Sequence, residues 1–312
     1  MSLINKKYIY DLKKEPKEHH IGEYFQVINF NQKYFLYYNC QNKIKLIISD
    51  TLDFNNKNSI IIINNAPGGC FAIIKEENII YFLVGCHISS KEKNEISIPD
   101  LVWPKEKRTI TDWKYKRKDR KNGMYLLKSK DGIKWNKIYD KPVLHSYISS
   151  DSCKLGECCF DTHPCLINYK GEYYYYGRLN SSLDERRIYL RKSKDLINWS
   201  VPERIIITNE NNNKLKKNYY YFVVFEKKNI LFAFSPYFEA CGTVKRNCKN
   251  GKTLLLKSED GLNWEIIRDF LPHSGKYKDR VNSYLFENNR SLIFFRENCT
   301  SINQKLISYE LI

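Results

Sequence analysis

The sequence predicts an all-β protein, a five-bladed β-propeller of four-stranded antiparallel sheets. Three observations lead to this prediction: a turn motif that recurs at a nearly fixed spacing, a pair of aromatic-rich strands that recurs five times, and an N-terminal strand placed to complete the last sheet. Repetition of small sheets around an axis leaves only short, protected edges, so repeats of this kind favour a propeller.

The turn motif has the form Ser-x-Asp-x-x-x-Trp and occurs as SKDGIKWN, SKDLINWS and SEDGLNWE. Its tryptophans, Trp135, Trp199 and Trp264, are 64 and 65 residues apart. Each copy lies between two strand-like runs, so we expect a hairpin turn whose Asp accepts hydrogen bonds from backbone amides. We expect each Trp to pack as a buried apolar plug, away from the funnel of the propeller. The motif is therefore interpreted as structural.

A glycine in this turn allows a positive φ. Gly132 and Gly261 occupy that position in the first and third copies, whereas Leu196 replaces them in the second. We therefore expect that a positive φ is not obligatory in the second copy.

Two aromatic-rich strands joined by a tight turn recur as EYFQVINFNQKYFLYY, FAIIKEENIIYFLVG, HPCLINYKGEYYYYGR, YYFVVFEKKNILFAF and NSYLFENNRSLIFFRE. We interpret them as the first two strands of five blades. The approximate blade limits are 22–62, 69–140, 160–207, 218–270 and 279–312, the last blade being closed by the N-terminal strand at 7–12. Residues 1–312 then form a single domain with an insertion at 88–122.

The chain carries a formal net charge of +17, which would suit a polyanionic partner. No nucleic-acid-binding module or compact basic helix is recognisable, so we expect no nucleic-acid partner. The N-terminus lacks the apolar segment of a signal peptide, and no apolar run is long enough to span a membrane. We therefore expect a cytoplasmic protein. The sequence indicates no oligomeric state.

Ten cysteines are many for a chain without a signal peptide. Cys153, Cys158, Cys159 and Cys165 stand close to His163, which makes a structural zinc site the alternative reading of this segment. Their spacing lacks the paired C-x2-C of common zinc sites. We expect reduced thiols, no metal and no cofactor.

The turn motif after a third strand, together with the inner strand FDTHPCLINYKGEYYYYGR, resembles the five-bladed propeller glycoside hydrolases of the arabinanase, xylosidase and invertase type. The resemblance extends over most of the chain at the level of blades. A six-bladed, sialidase-like propeller is the architectural alternative. The resemblance implies acidic residues that project from the starts of the inner strands into a funnel at one end of the axis. There one carboxylic acid protonates the leaving oxygen and one carboxylate activates water or attacks carbon.

Four acidic residues near the starts of inner strands are the candidate catalytic groups. They are Asp161, Glu157, Glu23 and Asp279. The main candidate is Asp161, because Asp-Thr-His-Pro resembles the Asp-Pro opening of the family's inner strands. No acid stands near Gly69 or Asn218, whereas the resembled enzymes carry acids on three successive blades.

Further side chains are expected around the same rim, because second strands return to the end where inner strands begin. The candidate substrate-binding residues are His163, His87, Arg178, Tyr237, Arg280 and Arg296. Arg178 and Arg296 occupy equivalent places in two blades. Their guanidinium forks would suit a carboxylate, a phosphate or a vicinal diol.

Two functions from different classes follow from the sequence. The first is a glycoside hydrolase-like protein that hydrolyses or binds a glycan or small carbohydrate in the funnel. The second is a non-catalytic propeller that acts as a glycan- or protein-binding module. Two carboxylates that face each other at about 5 to 9.5 Å would favour the enzyme.

Overall fold

A computed structural model describes residues 1–12, 24–40, 43–64, 70–86, 97–98, 101–102, 123–139, 142–145, 162–182, 185–210, 216–240, 248–272, 280–297 and 304–312. Strands make up most of these residues. No α-helix occurs among them, and therefore none that could span a membrane. The prediction of an all-β fold is confirmed.

The strands are numbered in chain order. Those before residue 150 are β1 Leu3–Asp11, β2 Phe25–Phe30, β3 Lys33–Cys40, β4 Lys43–Ser49, β5 Ile60–Ile63, β6 Phe71–Glu76, β7 Ile79–Cys86, β8 Ser97–Ile98, β9 Leu101–Val102, β10 Gly123–Ser129, β11 Asn136–Lys137 and β12 Leu144–His145. Those after it are β13 Cys165–Tyr169, β14 Glu172–Ser182, β15 Glu185–Ser193, β16 Glu203–Arg204, β17 Ile206–Ile207, β18 Lys216–Tyr219, β19 Val223–Lys227, β20 Ile230–Ala240, β21 Cys248–Ser258, β22 Asn263–Pro272, β23 Arg280–Glu287, β24 Arg290–Glu297 and β25 Lys305–Leu311.

Antiparallel pairing divides these strands into five successive units. The units are β2-β3-β4-β5, β6-β7-β10-β11, β13-β14-β15-β16, β19-β20-β21-β22 and β23-β24-β25-β1. We call them the first to fifth units. We call the end where their first strands begin the funnel end. The second strand of each unit returns to that end, because neighbouring strands run antiparallel.

Two-residue turns join the first and second strands of four units. Both turn residues have positive φ at Asn31-Gln32, Lys170-Gly171, Lys228-Asn229 and Asn288-Asn289. A positive φ at both positions defines the type I′ turn, whose twist matches the right-handed twist of the strands. These tight turns fix the register of the aromatic-rich pairs that the sequence repeats.

The third and fourth units are linked by additional strands. Strand β18 precedes the fourth unit and pairs with β20, and it also forms one parallel pair with β15. Strand β17 leaves the third unit and pairs in parallel with β22. Thr208 continues this link, since its amide donates to the carbonyl of Trp264 at 2.8 Å. The two units therefore form one continuous sheet.

The N-terminal strand belongs to the last sheet. Strand β1 pairs antiparallel with β25 from Leu3↔Leu311 to Asp11↔Lys305. It also reaches the first unit, because the carbonyl of Ile9 accepts the amide of Phe54 at 2.8 Å and the Asn55 side chain accepts the amide of Asp11 at 2.9 Å. The blade limits, the blade count and the closing role of β1 stay predictions.

The repeated turn motif has the predicted hydrogen bonds. In its second copy, Oδ1 of Asp195 accepts the Ser193 hydroxyl at 3.0 Å and the amides of Ile197 and Asn198 at 2.9 and 2.7 Å. Partial burial favours the protonated acid, but hydrogen bonds from Asn198, Ile197 and Ser193 outweigh it and lower the pKa of Asp195 to about 2. All acceptor capacity of Oδ1 is directed at the turn itself, which agrees with a structural role.

The expectation for Leu196 is wrong. Its φ is 63°, close to the 74° and 79° of Gly132 and Gly261 at the same place in the other copies. Hydrogen bonding by the Ser and Asp side chains, which recur in all three copies of the motif, fixes the backbone path, and a left-handed residue is part of that path. Leu196 is buried, so its packing can offset the strain that the left-handed conformation costs.

The motif tryptophans differ in burial. Trp264 is fully buried against Tyr176 and Phe222, and Trp135 is also buried. Trp199 is only half-buried, with one edge against Tyr175 at a centroid distance of 6.0 Å. The prediction of burial therefore holds for two tryptophans and is wrong in degree for Trp199.

Candidate functional site at the funnel end

His163 lies where the five units meet. Its ring stacks on Tyr24 with centroids 5.6 Å apart and planes 3° from parallel. It meets Tyr221 and Phe71 edge to face, at 5.5 and 6.1 Å. Its Nε2 lies 2.7 Å from the carbonyl oxygen of Asn282. His163 itself precedes the first strand of the third unit, and its four neighbours stand at the starts of the first strands of the other units.

The protonation state of His163 follows from these contacts. Nε2 carries the proton, because a carbonyl oxygen can only accept. Burial lowers the pKa of His163 to about 4, against a smaller opposing effect of the hydrogen bond to Asn282. At neutral pH the ring is therefore uncharged, and Nδ1 is an acceptor. Among the described residues neither Nδ1 nor the buried Oδ1 of Asn282 has a hydrogen-bond partner.

Three guanidinium groups surround the ring of Tyr220, which directly precedes Tyr221. The carbon Cζ lies 4.6 Å from the ring centroid for Arg178, 4.9 Å for Arg280 and 5.9 Å for Arg186. Arg178 and Arg280 are only 4% and 8% exposed. We call Arg178, Arg186, Arg280 and Tyr220 the guanidinium cluster. Strands β14, β15 and β23 contribute its arginines, so it joins the third, fourth and fifth units.

Arg296 is placed beside this cluster. Arg280 and Arg296 are direct partners in the β23–β24 pairing, so both side chains leave the same face of the sheet. Arg296 is buried and donates from Nε and Nη2 to Oε1 of Gln304, at 3.1 and 2.5 Å. Its guanidinium group is thus held in a fixed orientation.

Tyr237 lies in a neighbouring network. It is buried against Tyr219, with centroids 5.2 Å apart. The hydroxyl of Tyr219 donates to Oε1 of Glu210 at 2.8 Å, and Arg187 donates to the same oxygen at 2.8 Å. The Lys217 ammonium is 3.5 Å from the other carboxylate oxygen of Glu210. Two cationic groups and one tyrosine hydroxyl therefore share the carboxylate of Glu210.

The structure brings together part of the predicted site. His163 lies at the convergence of the first strands, Arg178 and Arg280 share the ring of Tyr220, and Arg296 pairs with Arg280 across the sheet. Tyr237 lies in the neighbouring network instead. The remaining predicted residues lie outside the described residues: Asp161, Glu157, Glu23, Asp279 and His87.

Sequence reasoning missed the aromatic residues of the site. Tyr24 and Tyr221 stand just before β2 and β19, in the place that His163 takes before β13. The signal was present, since an aromatic or imidazole ring occurs at the start of several aromatic-rich pairs. A search for acids alone at these positions passes over it. Tyr220 and Arg186 were missed because a centre shared by three units has no sequence signature.

Cys165, two positions after His163, is held in the packed interior. Cys165 is buried, and its Sγ accepts the amide of Val224 at 3.3 Å. Burial raises the pKa of Cys165 to about 12, despite an opposing hydrogen bond to the Val224 carbonyl. In the part of the chain that the structure describes, no group of three or more His, Cys, Asp and Glu side chains is arranged to hold a metal ion. Cys153, Cys158 and Cys159 fall outside that part.

No protein-family model matches the sequence, and no curated protein matches it. The fold is that of the β-propeller glycoside hydrolases, as the sequence motifs predicted.

Solved structures with this similarity come from several organisms. The chain is similar to an endo-arabinase from Bacteroides thetaiotaomicron, with a TM-score of 0.60, 12% identity and 98% of each chain covered. It is similar to an α-L-arabinanase from Penicillium chrysogenum in complex with arabinobiose, with a TM-score of 0.59, 9% identity and coverage of 100% and 98%. It is also similar to a β-fructofuranosidase from Bombyx mori, with a TM-score of 0.54 and 14% identity. That similarity covers 96% of this chain and 63% of the Bombyx mori chain. At such identities the likeness establishes the fold, and function must be argued from the site.

Proposed function

We propose that this protein binds a glycan at the funnel end and hydrolyses a glycosidic bond there. The observation that carries the proposal is the convergence of five first strands on His163. Residues distant in sequence meet at such a point, which is what a catalytic constellation needs. The fold shared with glycoside hydrolases supports the same conclusion.

Five blades closed by β1 are part of this proposal. Strand β1 pairs with β25 of the fifth unit, and its Ile9 carbonyl accepts the amide of Phe54 in the first unit. One strand therefore bridges the last and the first units. In a closed ring these two units must be neighbours, and a bridge between them supports closure after five blades.

The proposed catalytic acids directly adjoin the converging residues in sequence. The pairs are Glu23 with Tyr24, Asp161 with His163 two positions later, and Asp279 with Arg280. We propose Asp161 as one member of the catalytic pair and Glu23, Glu157 or Asp279 as the other. Retention requires carboxyl groups about 5 to 5.5 Å apart, and inversion about 6.5 to 9.5 Å apart, with room for a water.

His163 acts as a positioning residue in this proposal. Its proton is on Nε2 and directed at the Asn282 carbonyl, and its pKa of about 4 keeps the ring neutral. A ring in this state cannot protonate a leaving oxygen at neutral pH. It can hold the starts of the first strands in place, and with them the acids that precede these strands.

The test is turnover of a panel of chromogenic glycosides together with arabinan. Asp161→Asn should abolish turnover of whichever substrate is found and leave the unfolding temperature unchanged. Asp50→Asn is the matched control, because Asp50 is an exposed carboxylate that forms a surface ion pair with Lys33 at 3.6 Å. Full activity of Asp161→Asn would contradict the assignment of Asp161.

A non-catalytic glycan- or protein-binding module is the second candidate function. One observation favours it: the second unit has no acid near Gly69, where a third acid would stand in enzymes of the resembled type. Binding of a glycan without release of reducing sugar, unchanged in Asp161→Asn, would select this function over hydrolysis.

A further inference from the structure

We propose that the guanidinium cluster recognises a carboxylate carried by the sugar, so that the glycan bound at the funnel end contains uronic acid. This inference rests on the proposed function, since it names the substrate class of the same site. It is carried by the way three arginines from different strands share one aromatic ring.

The first step is the concentration of positive charge. The Cζ atoms of Arg178 and Arg280 are 4.6 and 4.9 Å from the centroid of Tyr220, so they lie within 9.5 Å of each other. Arg186 adds a third guanidinium group at 5.9 Å. An arginine stays charged at every physiological pH. The protein therefore brings three guanidinium groups to one ring, and an anion bound beside that ring would interact favourably with all three.

The second step is the orientation of the guanidinium groups. Cation–π contact with Tyr220 fixes the Arg178 and Arg280 groups near the ring, and Arg186 also lies 5.7 Å from the ring of Phe238. Arg186 Nη1 donates to Oδ1 of Asn218 at 3.3 Å. Planar forks held in this way match the planar, two-oxygen geometry of a carboxylate better than a neutral hydroxymethyl group.

The third step is the position of the cluster relative to the axis. Tyr220 meets Tyr221 with centroids 5.8 Å apart, and Tyr221 meets His163 at 5.5 Å. The cluster is therefore one ring away from the point where the first strands converge. A sugar bound at the funnel end beside that point could extend a carboxylate, or a neighbouring uronic acid residue, to the guanidinium groups.

The rim beyond the cluster is also basic. Arg187 and Lys217 share the one carboxylate of Glu210, whereas Lys252 is paired with Asp269 at 2.9 Å. A longer anionic chain that leaves the cluster along the third and fourth units would meet further positive groups. This favours an oligomeric uronic acid over a single charged sugar.

The experiment compares oligosaccharides that differ only in the carboxyl group. The probes are oligogalacturonides and glucuronic-acid oligosaccharides, each paired with its carboxyl-reduced form, and the measurement is the dissociation constant by titration calorimetry. We expect at least one pair in which the carboxylated member binds about tenfold or more tightly at low salt, as a charge-assisted hydrogen bond would give. High salt should reduce this ratio.

Variants assign the preference to the cluster. Arg178→Gln, Arg280→Gln and Arg186→Gln should each move the ratio of the two dissociation constants towards one. Arg268→Gln is the matched control, because Arg268 also lies over an aromatic ring, Phe270 at 5.3 Å, but on the outer strand β22. It should leave the ratio unchanged. Arg178→Lys keeps the charge without the fork and should give an intermediate ratio, provided that its thermal unfolding matches the wild type.

Several outcomes would overturn the inference. Tighter binding of the carboxyl-reduced forms by the wild type would reject recognition of a carboxylate. An equal loss of affinity for the carboxylated and the reduced oligosaccharide in Arg178→Gln and Arg186→Gln would show that the arginines serve the protein's own groups. In either case glycan binding persists, and the proposed function stands. Binding of sulfated but not carboxylated chains would also reject the carboxylate. If no glycan binds at all, the proposed function fails and this inference fails with it.

Discussion

The hydroxyl of Tyr176 donates a hydrogen bond to the backbone carbonyl oxygen of Gly261 at 3.0 Å. Tyr176 belongs to the second strand of the third unit, and Gly261 to the turn motif of the fourth. Tyr37 and Gly132 repeat this bond, also at 3.0 Å, between the first and second units. In the second and fourth units the repeated turn therefore joins its sheet to the preceding one, which gives the recurring turn a structural role.

Glycine is required at this contact because the tyrosine approaches so closely. A Cβ at Gly261 would lie 2.6 Å from both Cε2 of Tyr174 and the hydroxyl oxygen of Tyr176. In the second unit the residue equivalent to Tyr37 and Tyr176, as the fifth residue of its strand, is Leu83. The turn motif of the next unit, the third, has Leu196 in place of glycine, and Leu83 and Leu196 lie in one buried cluster. A smaller, apolar partner leaves room for a side chain in the turn.

Gly261→Ala tests this contact. We expect a loss of about 2 to 4 kcal/mol in the free energy of unfolding, from left-handed strain together with a clash against two tyrosines. Gly171→Ala is the matched control, since Gly171 has a similar φ of 81° but nothing within 4 Å of its Cβ position. It should lose only about 1 to 2 kcal/mol. If urea denaturation gives equal losses of unfolding free energy for Gly261→Ala and Gly171→Ala, the close approach of the tyrosines does not disfavour a side chain at Gly261.

The two classes of motif tryptophan should differ in stability. Trp264→Ala removes a fully buried ring and should cost about 3 to 5 kcal/mol. Trp199→Ala should cost less, because half-buried Trp199 leaves part of its ring in solvent before and after the change. Chemical denaturation of the two variants measures the difference. A larger loss for Trp199→Ala would contradict the burial described above.

Sequence alone predicted the parts of the fold that local chemistry determines. Hydrogen bonds around Asp195 and the strand repeats depend on residues close in sequence, so their patterns are readable. The stacking of His163 on Tyr24 is different, because 139 positions separate the two residues. The sequence placed both near inner-strand starts, but only the assembled fold shows that they touch. The same holds for Arg186, whose contact with Tyr220 depends on the link between the third and fourth units.

Strand β1 should stabilise the fold through one face. Ile9 is 1% exposed, whereas Ile4 on the same strand is 38% exposed. Ile9→Ala should therefore cost about 2 to 5 kcal/mol of unfolding free energy, and Ile4→Ala well under half of that. Deletion of residues 1–12 should expose the edge of β25 and promote aggregation, measured by light scattering. A stable, monodisperse deletion variant would contradict the closing role of β1.

His163 should make stability depend on pH below neutrality. Its pKa is about 4 in the folded protein against the ordinary 6.5. Between these values the unfolded chain binds a proton that the folded protein does not, so the free energy of unfolding falls as pH decreases through this window. The loss approaches its full value, about 3 kcal/mol at 1.36 kcal/mol per pKa unit, as the pH falls below 4. His163→Gln is the reference variant, because its amide can still donate to the Asn282 carbonyl but cannot titrate. The difference in unfolding free energy between wild type and variant should therefore shrink or change sign from pH 7 to pH 4. Parallel curves over that range would show that His163 is not held neutral at the junction of the five units.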